Sequence, residues 1–103
     1  MTTPTTTLGE YKLRDLRLTM LKSLNAQPGH QANETILRHE ARAFGLNYTR
    51  EQVRDELRFL ERANAVKIVE AGSVLVATLR QRGADHLEGL ITLEGINPPS
   101  LED

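Results

Sequence analysis

The segment "YTREQVRDELRFLER", residues 48 to 62, carries an arginine at every fourth position: Arg50, Arg54, Arg58 and Arg62. Guanidinium groups pair with phosphates electrostatically and with guanine edges bidentately, and a glutamine such as Gln52 can read adenine. Tyr48 adds a hydroxyl that could reach a phosphate. The segment also carries its own counter-charges. Glu51 with Arg54, Asp55 with Arg58, and Arg58 with Glu61 are spaced for pairing along one helix. Taking Val53, Leu57 and Leu60 as the inward stripe and advancing about 100° per residue, Glu51, Asp55 and Arg62 point most directly outward, with Arg54 and Arg58 to one side. Carboxylates at the centre of that face would meet phosphates unfavourably unless they accept from cytosine amino groups. The pattern supports two readings: a surface for a polyanion, or a salt-laced helix facing solvent.

Other chemistry finds little material. His30, His39 and His86 are scattered, and "HEARA" at 39 to 43 lacks the second histidine that would put two zinc ligands on one helix face. Each histidine therefore reads as solvated or partly packed. Glycines at phosphate-loop spacing and a serine in a strained elbow are both absent. Glu40 falls near the apolar side of its segment, but no partner constellation makes it a general base. The absence of cysteine removes disulfides, thiolate zinc sites and cysteine nucleophiles, and suits a reducing cytoplasm. The expectation is a protein that is not an enzyme and holds no metal, cofactor or small-molecule ligand.

A chain of 103 residues, 39% hydrophobic and 26% charged, reads as one globular domain with a modest core. Its formal net charge of -1 provides no global field to attract nucleic acid, so any such binding must come from a local patch. "MTTPTTTLGE" is neither basic nor apolar enough for a signal peptide, and the run "VLVA" at 74 to 77 is far short of a membrane span.

The elements that must position the arginines follow from periodicity. Residues 1 to 8, rich in threonine, read as a disordered lead-in. "YKLRDLRLTMLKSLNA" predicts a helix with Leu13, Leu16, Met20 and Leu24 on one stripe, widened by Leu18 and Leu21. After a turn at "QPGH", Asn33 is placed to cap a second helix, "ETILRHEARAF", whose inward face is expected to carry Leu37, Ala41 and Phe44. Gly45 suits a left-handed C-terminal cap, with Leu46 closing over the last turn. Thr49 and Gln52 form a capping box, with Tyr48 stapling onto Val53, so a third helix should start at Thr49 or Arg50 and end near Ala63 or Asn64. "AVKIVE" and "SVLVATL" alternate as a β-hairpin with "AG" at 71 and 72 at the tip. A last helix is expected from about Arg80 to Leu90, followed by an irregular tail over 94 to 103 that Pro98 and Pro99 keep from being helical.

In this order of elements, the "QANE" opening of the second helix, the "REQVRDELRFLE" third helix and the "GSVLVATL" strand resemble a family of small winged-helix proteins of Mu-like phages and prophages. The resemblance spans about residues 10 to 90. It implies an α+β, mainly α fold: a winged helix-turn-helix domain over 9 to 93, with three helices, a β-hairpin wing and a C-terminal helix. Winged-helix domains often read L-T-x-x-G after the wing, the threonine capping the last helix; here Leu79-Arg80-Gln81-Arg82-Gly83 lacks that cap. The implied function is non-enzymatic binding of double-stranded DNA in the cytoplasm of a bacterial host, with transcriptional regulation as the role such relatives are given by fold analogy.

In helix-turn-helix proteins the second helix of the motif enters the major groove and the wing reaches the neighbouring backbone. By position, the expected DNA contacts are Tyr48, Thr49, Arg50, Gln52, Arg54, Arg58, Lys67 and Ser73. The wing weighs against this, since Lys67 is its one cation and Glu70 sits near its tip. The alternative is a winged-helix module that binds protein instead. Leu18 and Leu21, with Leu87, Leu90, Ile91 and Leu93, exceed what one small core requires, and packing them across a two-fold axis predicts a homodimer.

Overall fold

The computed structural model describes residues 7–99. The Thr7 hydroxyl accepts the Glu10 N–H at 3.0 Å, and helix α1 runs from there over Leu8–Ala26. The helix thus starts inside the expected lead-in, of which residues 1–6 lie outside the described residues, as do residues 100–103 of the expected tail. Eight residues of the second half of α1 are buried, from Leu16 to Leu24, because α2, α3, α4 and the sheet all pack against it. A helix enclosed on several sides needs apolar residues around most of its circumference. This accounts for Leu18 and Leu21, expected at a two-fold interface: both are buried in the chain's own core.

Pro28–His30 forms a short 3-10 turn, and Gln31–Asn33 then forms strand β1, which the sequence did not announce because three residues carry no readable alternation. It exists by pairing with a later strand. The Asn33 side chain accepts the Ile36 N–H and caps α2, Glu34–Ala43. Leu37 and Ala41 face inward as expected, but Phe44 is 70% exposed. The helix has ended before it: Gly45 (φ +79°) turns the chain, with Gly45 N–H on Arg42 O and Leu46 N–H on Ala41 O, and Leu46 takes the buried position.

Helix α3, Arg50–Arg62, carries the complete Thr49–Gln52 capping box, and Tyr48 packs half-buried against the core that contains Val53. It stops at Asn64 (φ +59°), where Ala65 N–H reaches Leu60 O. Strands β2, Val66–Ala71, and β3, Val74–Leu79, form the hairpin, with Gly72 (φ +62°) and Ser73 at the tip, one residue later than expected. The sheet is antiparallel, in the order β1-β3-β2, with Asn33 opposite Val76 and Val69 opposite Val76 from the other side.

Helix α4 spans Gln81–Leu87, shorter at both ends than expected and without a side-chain cap at Arg80. Gly83 lets it approach the sheet: a Cβ there would stand 2.5 Å from Ala65 O. Beyond Gly89 (φ +78°) the chain is irregular but packed. Leu93 and Ile96 are buried, so the core extends past the expected boundary at 93. His86 is responsible. Fully buried, it accepts the Leu93 N–H on Nδ1 at 3.0 Å and holds Asn97 O from Nε2 at 2.8 Å, which fixes the tautomer with hydrogen on Nε2. Of the other residues expected at a dimer interface, Leu93 is buried, Leu87 and Ile91 pack partly buried on the core, and Leu90 is exposed. The protein is therefore α+β, mainly helical, with four helices and one three-stranded sheet among the described residues.

Candidate functional site

The arginines of α3 are tied together by a residue outside it. Glu34, the first residue of α2, is 1% exposed. Its Oε1 accepts from Arg50 Nε at 2.8 Å, and its Oε2 accepts from Arg54 Nη1 at 2.6 Å and from the Leu75 N–H. Burial alone would raise the Glu34 pKa; the Arg50 and Leu75 hydrogen bonds and the Arg54 and Arg50 charges outweigh it and hold the carboxyl below its ordinary value. Its place at the start of α2 also sets the carboxylate against the positive end of the helix dipole. The same arginines reach the hairpin: Arg50 Nη2 donates to Ser73 O, and Arg54 Nη1 lies 3.3 Å from it. One buried carboxylate thus joins the start of α2, the first turns of α3 and the hairpin tip.

Arg58 joins α3 to the hairpin a second time, with Nη1 3.0 Å from Glu61 and Nη2 3.1 Å from Glu70. Of the three pairs the spacing suggested, Arg58–Glu61 forms; Arg54 turns to Glu34 instead of Glu51, and Arg58 to Glu70 instead of Asp55. Glu51, Gln52, Asp55 and Arg62 are left exposed on the outer face, and Lys67 is exposed on β2. Thr49 and Gln52 spend their backbone N–H groups and side-chain oxygens on each other at 3.1 and 2.9 Å, which leaves the amide nitrogen of the exposed Gln52 as an unused donor.

On the opposite flank of α3, Arg17 is buried with Nε 2.6 Å from Glu56 Oε1, Nη1 on Gly95 O at 2.7 Å, and its guanidinium 3.8 Å from the Phe59 ring centre. This fastens α1, α3 and the C-terminal segment together. The nearby Tyr48 phenol is held above its ordinary pKa by burial and by the charges of Glu56 and Asp15, against Arg17. It remains a neutral hydroxyl at physiological pH.

The expected contacts therefore separate into two groups and one residue apart from both. Arg50, Arg54, Arg58 and Ser73 come together around the junction of α3 and the hairpin, already bonded to one another or to carboxylates. Tyr48, Thr49 and Gln52 lie at the start of α3, and Lys67 stands apart on the hairpin edge. Sequence reasoning missed Glu34, Arg17 and His86. A glutamate directly after a helix-capping asparagine was a visible signal for the first, though its partners were not. Among the described residues, no group of three or more His, Asp or Glu could hold a metal ion, and no helix is long and apolar enough to cross a membrane.

By its fold the chain is a small α+β protein, mainly helical. The chain is 34% identical over 92 residues, 89% of its length and 95% of the relative's, to the uncharacterized protein gp26 of Escherichia phage Mu. It belongs to the Mu-like phage protein family of gp26. No family model matches it, and no solved structure does.

Proposed function

We propose that the chain is a winged-helix protein that binds double-stranded DNA without catalysing a reaction, α3 entering the major groove and the β2–β3 hairpin serving as the wing. The observation that carries this reading is the Glu34 junction, which holds Arg50 and Arg54 at the start of α3 and beside the hairpin tip while leaving them 46% and 31% exposed. Arginines already held in place lose less side-chain freedom when a phosphate arrives. Two guanidinium groups around one carboxylate still leave a positive charge there. The amide nitrogen of the exposed Gln52 is a donor for base edges, and Glu51 and Asp55 can accept from cytosine amino groups. Such a protein would act in the cytoplasm of the infected bacterium, in transcription or in handling phage DNA.

A second reading, a module that contacts protein, is favoured by charge balance. Across α3 and the hairpin, Arg50, Arg54, Arg58, Arg62 and Lys67 are matched by Glu51, Asp55, Glu56, Glu61 and Glu70, with the buried Glu34 of α2 beside them. Binding to random duplex DNA at about 50 mM salt separates the two, because low salt enhances electrostatic contacts. Arg62→Ala with Lys67→Ala is the informative variant, since neither cation serves an ion pair among the described residues. DNA binding predicts a salt slope shallower by about 0.9 for each phosphate no longer neutralised. Removing Glu51 and Asp55 should tighten nonspecific binding. No detectable binding by folded wild type at high micromolar concentration would assign the surface to a protein partner.

A further inference from the structure

We infer that a second cationic surface, formed by Lys12 and Arg42 around the turn between α2 and α3, makes the main contacts to the phosphate backbone. This rests on the DNA-binding reading and relocates its electrostatic part. The arginines of α3 are largely spent: Arg50 and Arg54 on Glu34, and Arg58 on Glu61 and Glu70. A phosphate reaching them must share them with carboxylates already in place. The turn at residues 44–49 is flanked by cations that no carboxylate holds in an ion pair. Lys12 lines a cleft of about 260 Å³ with Gly45, Leu46, Asn47 and Tyr48. On its other side Arg38 Nε donates to Tyr48 O at 2.8 Å, and Arg42 lies one helical turn further along the same side of α2, ending where Gly45 turns the chain.

Lys12 and Arg42 are exposed, and among the described residues neither they nor Arg38 forms an ion pair. The carboxylates on this side are partly occupied. Glu10 is held by Arg14 and Arg17, and Glu56 by Arg17, which leaves Asp15 on α1, Glu40 on the far flank of α2 and the exposed Glu51 in the first turn of α3. Lys12 and Arg42 thus stand as exposed cations outside any ion pair beside the first turn of α3, with Arg38 held on the Tyr48 carbonyl between them and α3. Exposed Lys and Arg with no carboxylate partner fit a row of phosphodiesters, whose affinity comes from counterion release rather than base reading. These cations stand next to the helix end that would face base edges, so one duplex can meet both.

The test compares wild type, Lys12→Ala/Arg42→Ala and Arg62→Ala/Lys67→Ala on a fluorescent random duplex of about 20 base pairs over a salt series. Arg38 is left intact because it holds the turn. With two phosphates no longer neutralised, the log-log slope of the first variant should be shallower by about two and its binding weaker at every sequence, with the thermal transition unchanged. A first variant that binds like wild type overturns this surface and leaves the α3 reading standing. Absence of binding by wild type overturns both.

Discussion

Arg54 Nη1 stands 2.6 Å from Glu34 Oε2, twenty residues away in the chain, and the same carboxylate oxygen accepts the N–H of Leu75 in the third strand. Three elements meet at one buried negative charge. The pair is asymmetric, since the carboxylate is buried and the guanidinium partly exposed.

That asymmetry predicts unequal costs. Replacing both Arg50 and Arg54 by Ala strands the carboxylate out of water and should cost about 3 kcal/mol or more. Glu34→Ala returns the arginines to solvent and leaves one buried N–H unpaired, a loss of about 1–3 kcal/mol. Urea unfolding of the two variants measures the order. Equal or reversed losses would mean that the carboxylate finds other partners.

The same carboxylate sets a pH dependence. Its folded pKa lies below the ordinary 4.5, so the stability it contributes is complete above about pH 4.5 and is lost as pH falls through the folded value. Unfolding free energy of the wild type should therefore drop more steeply on acidification below pH 4.5 than that of Glu34→Gln, which has no proton to take up there. Parallel curves would remove Glu34 as the source.

Thr49 begins α3 by accepting the Gln52 N–H. Thr49→Ala should cost about 1 kcal/mol, while Thr49→Ser, which keeps the oxygen, should cost much less. The midpoint of chemical denaturation reads both. Identical midpoints for Ala and Ser would show that the hydroxyl does not hold the helix start.

His86 anchors the C-terminal segment through Leu93 N–H and Asn97 O. His86→Leu keeps the volume but leaves both groups without their partner, so the amides near Leu93 and Ile96 should lose hydrogen-exchange protection while those of α3 keep theirs. Unchanged protection at Leu93 would show that its N–H does not depend on the imidazole.

The helices and the hairpin are legible in the sequence because the interactions that start and stop them are local. The Thr49–Gln52 box, the Asn33 cap and the Gly45–Leu46 turn each act within a few residues, and alternation over 66–79 is a property of neighbours. Partner choice belongs to the tertiary structure. Spacing offered Arg54 to Glu51, but Glu34, withdrawn from water and sixteen and twenty residues from its arginines, attracts them more strongly than an exposed neighbour can. Strand β1, the burial of Leu18 and Leu21 within one chain and the His86 anchor share that origin: each depends on segments distant in sequence meeting in space. The arginine periodicity set where the charges sit along α3; folding alone decided that most of them face carboxylates of their own chain, because a buried charge must be paired wherever in the sequence its partner lies.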